Sequence, residues 1–174
     1  MNKIKYALVF FAGLLMLSCS ESDEAVLYDN YDFISIKGDS VISSDGLQMV
    51  ASTVDITSDS LGTYSTINSQ VTVGNNVFDV NLFMEGANSG IHKYKLESGE
   101  PLTSIGYVKY RSMQADSSFV TSRYAITSSA INWKDVDNKT VLFEVLCKGR
   151  KMLNDSTLSK ASLTIDGKIR AIKQ

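Results

Sequence analysis

Alternation of apolar and polar residues with a period of two constrains this chain more than any other feature. The clearest case is Val77 to Glu85, where apolar residues occupy every second position between Asp and Asn. This spacing places the apolar side chains on one face of a β-strand. No convincing helical pattern competes with it, so the sequence predicts an all-β fold.

Turn-forming residues separate the runs. Gly74-Asn75-Asn76 follows Val71 to Val73 and predicts a hairpin with the strand that begins at Val77, because these residues accept positive φ. Asp166-Gly167 predicts a second hairpin that joins Ala161–Ile165 to Lys168–Ile172. Other strand-like runs are Phe33 to Ile36, Leu47 to Ile56, Tyr64 to Ser69, Ile91 to Leu96, Ile105 to Met113, Phe119 to Thr127 and Val141 to Cys147.

These runs give about nine strands in a single domain that spans residues 31–174. Val141 to Cys147 is apolar on both faces, which predicts a central strand that is covered on both sides. Because the strands differ in this way, the sequence favours an antiparallel β-sandwich. An up-and-down β-barrel of the lipocalin type is the alternative.

Charge and composition exclude several kinds of partner. The 174 residues include 17 Lys plus Arg against 19 Asp plus Glu, so the net charge is −2 and no basic field exists to hold nucleic acid. A single His rules out a metal site with two or more histidines. The sequence therefore predicts no nucleic-acid partner, no metal and no cofactor.

The N-terminal segment predicts export. Lys3 and Lys5 precede an apolar run from Tyr6 to Leu17. A helix of this length spans about 18 Å, well short of the ~30 Å hydrocarbon core of a bilayer. It therefore predicts a signal peptide rather than a membrane span.

The end of this segment, Met16-Leu17-Ser18-Cys19, resembles the bacterial lipobox, although that motif most often has Leu where Met16 stands. The resemblance implies a signal peptide at residues 1–18 and a diacylated Cys19 as the first residue of the mature chain. The alternatives are a secretory signal cut elsewhere, with Cys19 incidental, and an uncleaved anchor. Loss of Lys3 and Lys5 would leave 15 basic and 19 acidic residues, a net charge of −4.

The predicted tether, residues 19–30, begins with a polar and acidic stretch from Ser20 to Glu24. A lipidated Cys followed by such residues resembles surface-exported lipoproteins of the Bacteroidetes type. The resemblance implies attachment to the outer membrane through the lipid and display at the cell surface; the periplasmic face is the alternative.

The region from Ile67 to Gly167 also resembles small β-domains of such lipoproteins, through Gly90 to Leu96, Tyr107 and Ile126. This likeness implies a fold class and a location, and it assigns no activity. The motifs Asp39-Ser40-Val41, Asp59-Ser60-Leu61 and Asp155-Ser156-Thr157 resemble the O-glycosylation signal of the same group. They make Ser40, Ser60 and Ser156 candidate modification sites.

No catalytic constellation is visible. His92 stands in a strand-like run, and no Gly-x-Ser-x-Gly turn accompanies it. Cys147 lies among apolar residues and is interpreted as a buried, inert thiol. The acidic residues are scattered over different predicted elements, so no pair of carboxylates is predicted.

Exposed aromatic rings on a sheet can stack on sugars. Tyr107, Tyr110 and Trp133 are candidate stacking residues, although Trp133 alternates with Ile131 and is more simply a core residue. The sequence therefore favours a non-catalytic binding module for a glycan or another envelope protein. The alternatives are a lipocalin-like carrier, which needs an enclosed apolar cavity, and a hydrolase, which needs clustered carboxylates.

Overall fold

The computed structural model describes residues 33–38, 43–44 and 50–174, and all regular structure there is β-strand. The all-β prediction is confirmed, with ten strands for about nine predicted. The predicted signal peptide, Cys19, the tether and Ser40 lie outside the described residues. The strands are β1 (Phe33–Gly38), β2 (Ser43–Ser44), β3 (Val50–Ser58), β4 (Thr63–Val73), β5 (Asn76–Glu85), β6 (Gly90–Lys95), β7 (Gly106–Met113), β8 (Phe119–Asp135), β9 (Thr140–Asn154) and β10 (Thr157–Lys173).

The described strands form one continuous, mixed sheet. Pairing leads from β3 through β4, β5, β7, β8 and β9 to β10, and every pair on this path is antiparallel. A parallel contact of two residue pairs then joins β10 to β3. Strand β6 pairs with β8, and β1 joins β10 to β2. The pairing is therefore less uniform than that of a regular barrel.

Strand β8 serves two different neighbours along one edge. Its residues 119–125 pair with β7, and its residues 128–133 pair with β6. A register shift between Ile126 and Ser128, in the ladder with β9, separates the two halves. β8 therefore continues past this irregularity to Asp135, whereas the sequence pattern placed its end at Thr127.

The second predicted hairpin is wrong. Asp166 and Gly167 lie in the middle of β10, paired with β9 on one side and β1 on the other. Burial alternates without a break through this segment, and Gly167 takes an inward position between Ile165 and Ile169. Two flanking strands thus outweigh the local turn preference of Asp-Gly. The observed hairpin joins β9 to β10, where Asn154 pairs with Thr157.

One apolar cluster fills the inner side of the sheet. Strand β5 contributes Phe78, Val80, Leu82 and Met84, the alternating set that the sequence predicted to face inward. Strand β9 departs from its prediction of cover on both sides, because Leu142 is buried but Leu146 is 50% exposed. Among the described residues nothing covers the outer side of β9 at Leu146.

Candidate functional site

Trp133, one of the three predicted stacking residues, belongs to the core. Its side chain is 1% exposed and packs edge-on against Phe143, with ring centroids 5.0 Å apart. Its indole N–H donates a hydrogen bond to Oδ1 of Asp135 at 2.9 Å, which satisfies the buried donor. The ring has no open face for a ligand, so its assignment as a stacking residue is corrected to that of a core residue.

The two predicted stacking tyrosines lie on opposite sides of β7, because they are three positions apart in a strand. Tyr110 packs against the core and stacks on Phe78, with ring centroids 4.9 Å apart. Tyr107 points outward, with its ring 6.3 Å from that of Phe83 and 5.9 Å from the guanidinium carbon of Arg123. The structure therefore offers a single outward ring from the predicted set.

A row of polar side chains crosses the outer side of four neighbouring strands and ends at that ring. Thr53, Asn68, Asn81 and Tyr107 are in register on β3, β4, β5 and β7. They point outward because their chain neighbours, such as Val80, belong to the core. We call the outward side of these four strands the amide face.

Hydrogen bonds hold the side chains of the amide face in place. The Asn68 amide donates to Oδ2 of Asp55 at 2.6 Å, and the Gln70 amide donates to Oδ1 of Asp79 at 2.8 Å. Arg111 donates to both oxygens of Asp79, at 3.1 and 2.9 Å. The carbonyl oxygens of the two amides remain acceptors for a ligand hydroxyl.

A groove of about 670 Å³ lies over this network and is open to solvent. Asn68 and Asn81 line it together with Asp79, and Ile172 of β10 forms part of its wall. Ile172 is 60% exposed, so it adds an apolar surface beside the polar side chains. Planar polar groups next to an apolar surface suit a ligand that carries many hydroxyls on a C–H framework.

Of the residues that line this groove, Asp79 alone carries a carboxylate. Glycoside cleavage needs two carboxyl groups that face each other across the substrate. Asp79 is bonded to Arg111, and Asp55, which accepts a hydrogen bond from the amide of Asn68, does not line the groove. The residues that line the groove therefore include no facing pair of carboxylates.

His92 and Cys147, considered from the sequence as candidate base and nucleophile, lie outside the amide face. His92 is half-buried on β6, and its Nε2 is 2.9 Å from the carbonyl oxygen of Asn88. Cys147 is fully buried, and burial raises the pKa of its thiol to about 12. A thiol with such a pKa stays protonated at neutral pH and is a poor nucleophile.

Two candidate O-glycosylation residues lie in exposed turns. Ser60 stands between β3 and β4, where Oδ1 of Asp59 accepts the backbone N–H groups of Leu61 and Gly62. Ser156 stands between β9 and β10, and its hydroxyl donates to Oδ1 of Asn154 at 3.0 Å. Both residues are exposed, and their modification stays a prediction.

Sequence reasoning missed the amide row, although a signal for it exists. Asp79 and Asn81 are the polar members of the best alternating strand. The turn before it has two residues, Gly74 and Asn75, and pairs Val73 with Asn76, so that Asn68 falls opposite Asn81. Counting Asn76 as part of the turn shifts the register by one and hides this pair.

Three further observations give no alternative to the amide face as a candidate site among the described residues. Among residues 50–174 and the short described strands before them, no His, Cys, Asp and Glu cluster is suited to a metal ion. The same residues include no helix with the length and hydropathy needed to cross a membrane. Comparison with known proteins adds no family: no family model, no curated protein and no solved structure matches this chain.

Proposed function

We propose that this protein is a lipid-anchored, non-catalytic binding module of the bacterial cell envelope, and that its amide face binds a glycan. The observation that carries the proposal is the in-register row of Asn68 and Asn81 that ends at the outward ring of Tyr107. Amides donate to and accept from sugar hydroxyls, and an aromatic ring packs on sugar C–H groups.

Preorganisation supports a role in recognition. Asn68 is held by Asp55, and Gln70 is held by Asp79 and, through it, by Arg111. Side chains that are already ordered lose less conformational entropy when a ligand binds. The groove is therefore suited to a specific ligand rather than to nonspecific adsorption.

The open groove favours a surface binder over the other functions considered. A carrier would hold its ligand in an enclosed cavity, whereas the groove over the amide face is open to solvent and the described apolar side chains form one buried cluster. A hydrolase would need a second carboxylate opposite Asp79. A protein partner in the envelope is the competing ligand class for the same groove.

A glycan microarray of neutral and acidic oligosaccharides, probed with the full chain, tests the proposal. The double variant Asn68→Ala/Asn81→Ala should bind the best glycan at least about tenfold more weakly, because each lost hydrogen bond is worth about 1 kcal/mol. Asn138→Ala is the matched control, since Asn138 is exposed in the turn after β8. Absence of any glycan signal, or equal loss in the control, would contradict the proposal.

The anchor is tested separately. Mass spectrometry of the native, membrane-extracted protein should find diacyl-modified Cys19 at the mature N-terminus. Protease treatment of intact cells should then remove the domain if it is displayed outside. An unmodified N-terminus elsewhere would contradict the lipid anchor, and protection from protease would place the domain on the periplasmic face.

A further inference from the structure

A second outward surface, on strands other than the four of the amide face, lies on β6, β8 and β9. Three rows of outward residues cross these strands in register. We call this surface the lysine face. Its rows are Ile91–Asn132–Glu144, Lys93–Ala130–Leu146 and Lys95–Ser128–Lys148.

The middle strand of this face carries small side chains, so a trough runs between β6 and β9. A groove of about 400 Å³ is lined there by Ile91, Ala130 and Leu146, among others. Lys95 and Lys148 stand on either side of Ser128, two strand spacings apart, which is about 9.5 Å between backbones. A small anion placed over the Ser128 hydroxyl would lie between two ammonium groups.

The cations of this face are available for a ligand. Lys93, Lys95 and Lys148 are exposed, and no carboxylate of the described residues lies within ion-pair distance of them. Glu144, in contrast, already has partners: its carboxylate accepts a hydrogen bond from the Asn132 amide at 3.2 Å and forms an ion pair with Lys168 at 3.3 Å. Asp166 is the exposed carboxylate beside Leu146, one row from Lys148.

Exposed aliphatic side chains accompany these cations. Ile91 is 68% exposed and Leu146 is 50% exposed. Exposed aliphatic groups near lysines are typical of surfaces that enter the boundary between headgroups and acyl chains of an anionic bilayer. A free polyanion would use the lysines but would gain nothing from Ile91 and Leu146.

We propose that the lysine face docks on an anionic phospholipid surface, with headgroup phosphates between Lys95 and Lys148 and with Ile91 and Leu146 inserted beside them. The docking site needs no glycan bound at the amide face.

Lysine footprinting on the full chain tests this docking. The protein is bound to phosphatidylcholine vesicles with or without phosphatidylglycerol, and acetylation rates are read by mass spectrometry. Lys95 and Lys148 should react at least about threefold more slowly on the anionic vesicles, whereas Lys109 on the amide face should not change. Equal rates on both vesicle types, or protection of Lys109 instead, would overturn the proposal.

Vesicle affinity provides the second measurement. Lys95→Gln/Lys148→Gln should weaken the added affinity for anionic vesicles about thirtyfold, since each lysine contributes about fivefold near an anionic surface. Ile91→Ala/Leu146→Ala should weaken it as well, and the matched control Lys109→Gln should not. If an acidic polysaccharide protects Lys95 and Lys148 while vesicles do not, the lipid surface is the wrong partner. Glycan binding by the amide face is read independently through Asn68 and Asn81.

Discussion

The amide face and the lysine face belong to one sheet, but they differ in whether their polar side chains have partners within the protein. On the amide face, Asp79 is bonded to both Gln70 and Arg111, so this carboxylate, guanidinium and amide already have partners. On the lysine face, Lys95 and Lys148 have no carboxylate partner among the described residues. Before a ligand binds, hydrogen bonds already orient side chains of the amide face, whereas no ion pair with a described residue orients Lys95 or Lys148.

This difference separates specific recognition from electrostatic attraction. Hydrogen-bonded planar groups have fixed directions, so they select ligands by the positions of donors and acceptors. Unpaired ammonium groups on flexible stems attract any anion and lose strength as salt is added. We therefore expect binding at the amide face to be nearly independent of salt and binding at the lysine face to weaken strongly with salt.

The largest predicted effect tests whether the two faces share one core. Phe143→Ala removes the ring that packs against Trp133 and should lower the free energy of unfolding by about 3–5 kcal/mol. Urea denaturation followed by tryptophan fluorescence and by circular dichroism should give a single shifted transition. The control Phe83→Ala, on the amide face, should cost less because Phe83 is only half-buried. Two separate transitions would show that the faces fold independently.

A backbone change of intermediate size should damage the amide face selectively. Gly106 has φ 136°, and a Cβ atom there would lie 2.5 Å from the carbonyl oxygen of Asn81. Gly106→Ala should therefore cost about 2–3 kcal/mol and displace Asn81. The control Gly74→Ala, at φ 57° in open space, should cost about 1 kcal/mol. Glycan binding that survives Gly106→Ala, with vesicle binding lost, would reverse the assignment of the faces.

Much of this fold is predictable from local sequence patterns. The predictions that were wrong failed because contacts between strands outweigh local preferences. Alternation located β5 and its inward residues correctly because one face of that strand is buried and the other is wet. The prediction failed at Asp166-Gly167 because it followed the turn preference of these two residues, whereas the decisive contacts come from β1 and β9. The inward series Leu163, Ile165, Gly167 and Ile169 was visible in the sequence and is the signal that outweighs the turn preference.

The candidate surfaces were harder to predict because they depend on register between strands. Tyr107 was identified from its residue type, but the residues that form the candidate site with it, Asn81 and Asn68, lie on two other strands. A change of one residue in turn length moves a side chain to the opposite face. Lys95 and Lys148 are 53 positions apart, and only the pairing of β6, β8 and β9 aligns them.

A smaller effect concerns Lys173, which has an ion-pair partner, whereas Lys95 and Lys148 have none among the described residues. Lys173 contacts Oδ1 of Asp135 at 2.7 Å, and Asp135 also accepts from Trp133 and Ser89. Burial acts to raise the pKa of Asp135, but the hydrogen bonds from Lys173, Trp133 and Ser89 outweigh it, so that the pKa is lowered below the ordinary 3.8.

Because the folded-state pKa of Asp135 is depressed, its carboxylate stabilises the fold above the ordinary pKa, and this contribution is lost as the pH falls through the folded-state value. Asp135→Asn should therefore cost about 1 kcal/mol at pH 7, a modest value because the carboxylate is partly exposed. Urea titrations of both proteins should show the gap closing below about pH 4. A gap that is independent of pH would mean that the carboxylate charge contributes nothing.

The smallest predicted effect concerns the lysine face itself. Lys95→Gln and Lys148→Gln should each change the free energy of unfolding by less than about 0.5 kcal/mol, because neither ammonium group has an ion-pair partner among the described residues. Urea denaturation at low and high salt measures this, with Lys173→Gln as the paired control that should lose more. A cost above about 1 kcal/mol would assign these lysines a structural role. Near-neutral stability combined with weaker vesicle binding would mean that their charge acts on a partner outside the fold, which is the property that separates this face from the amide face.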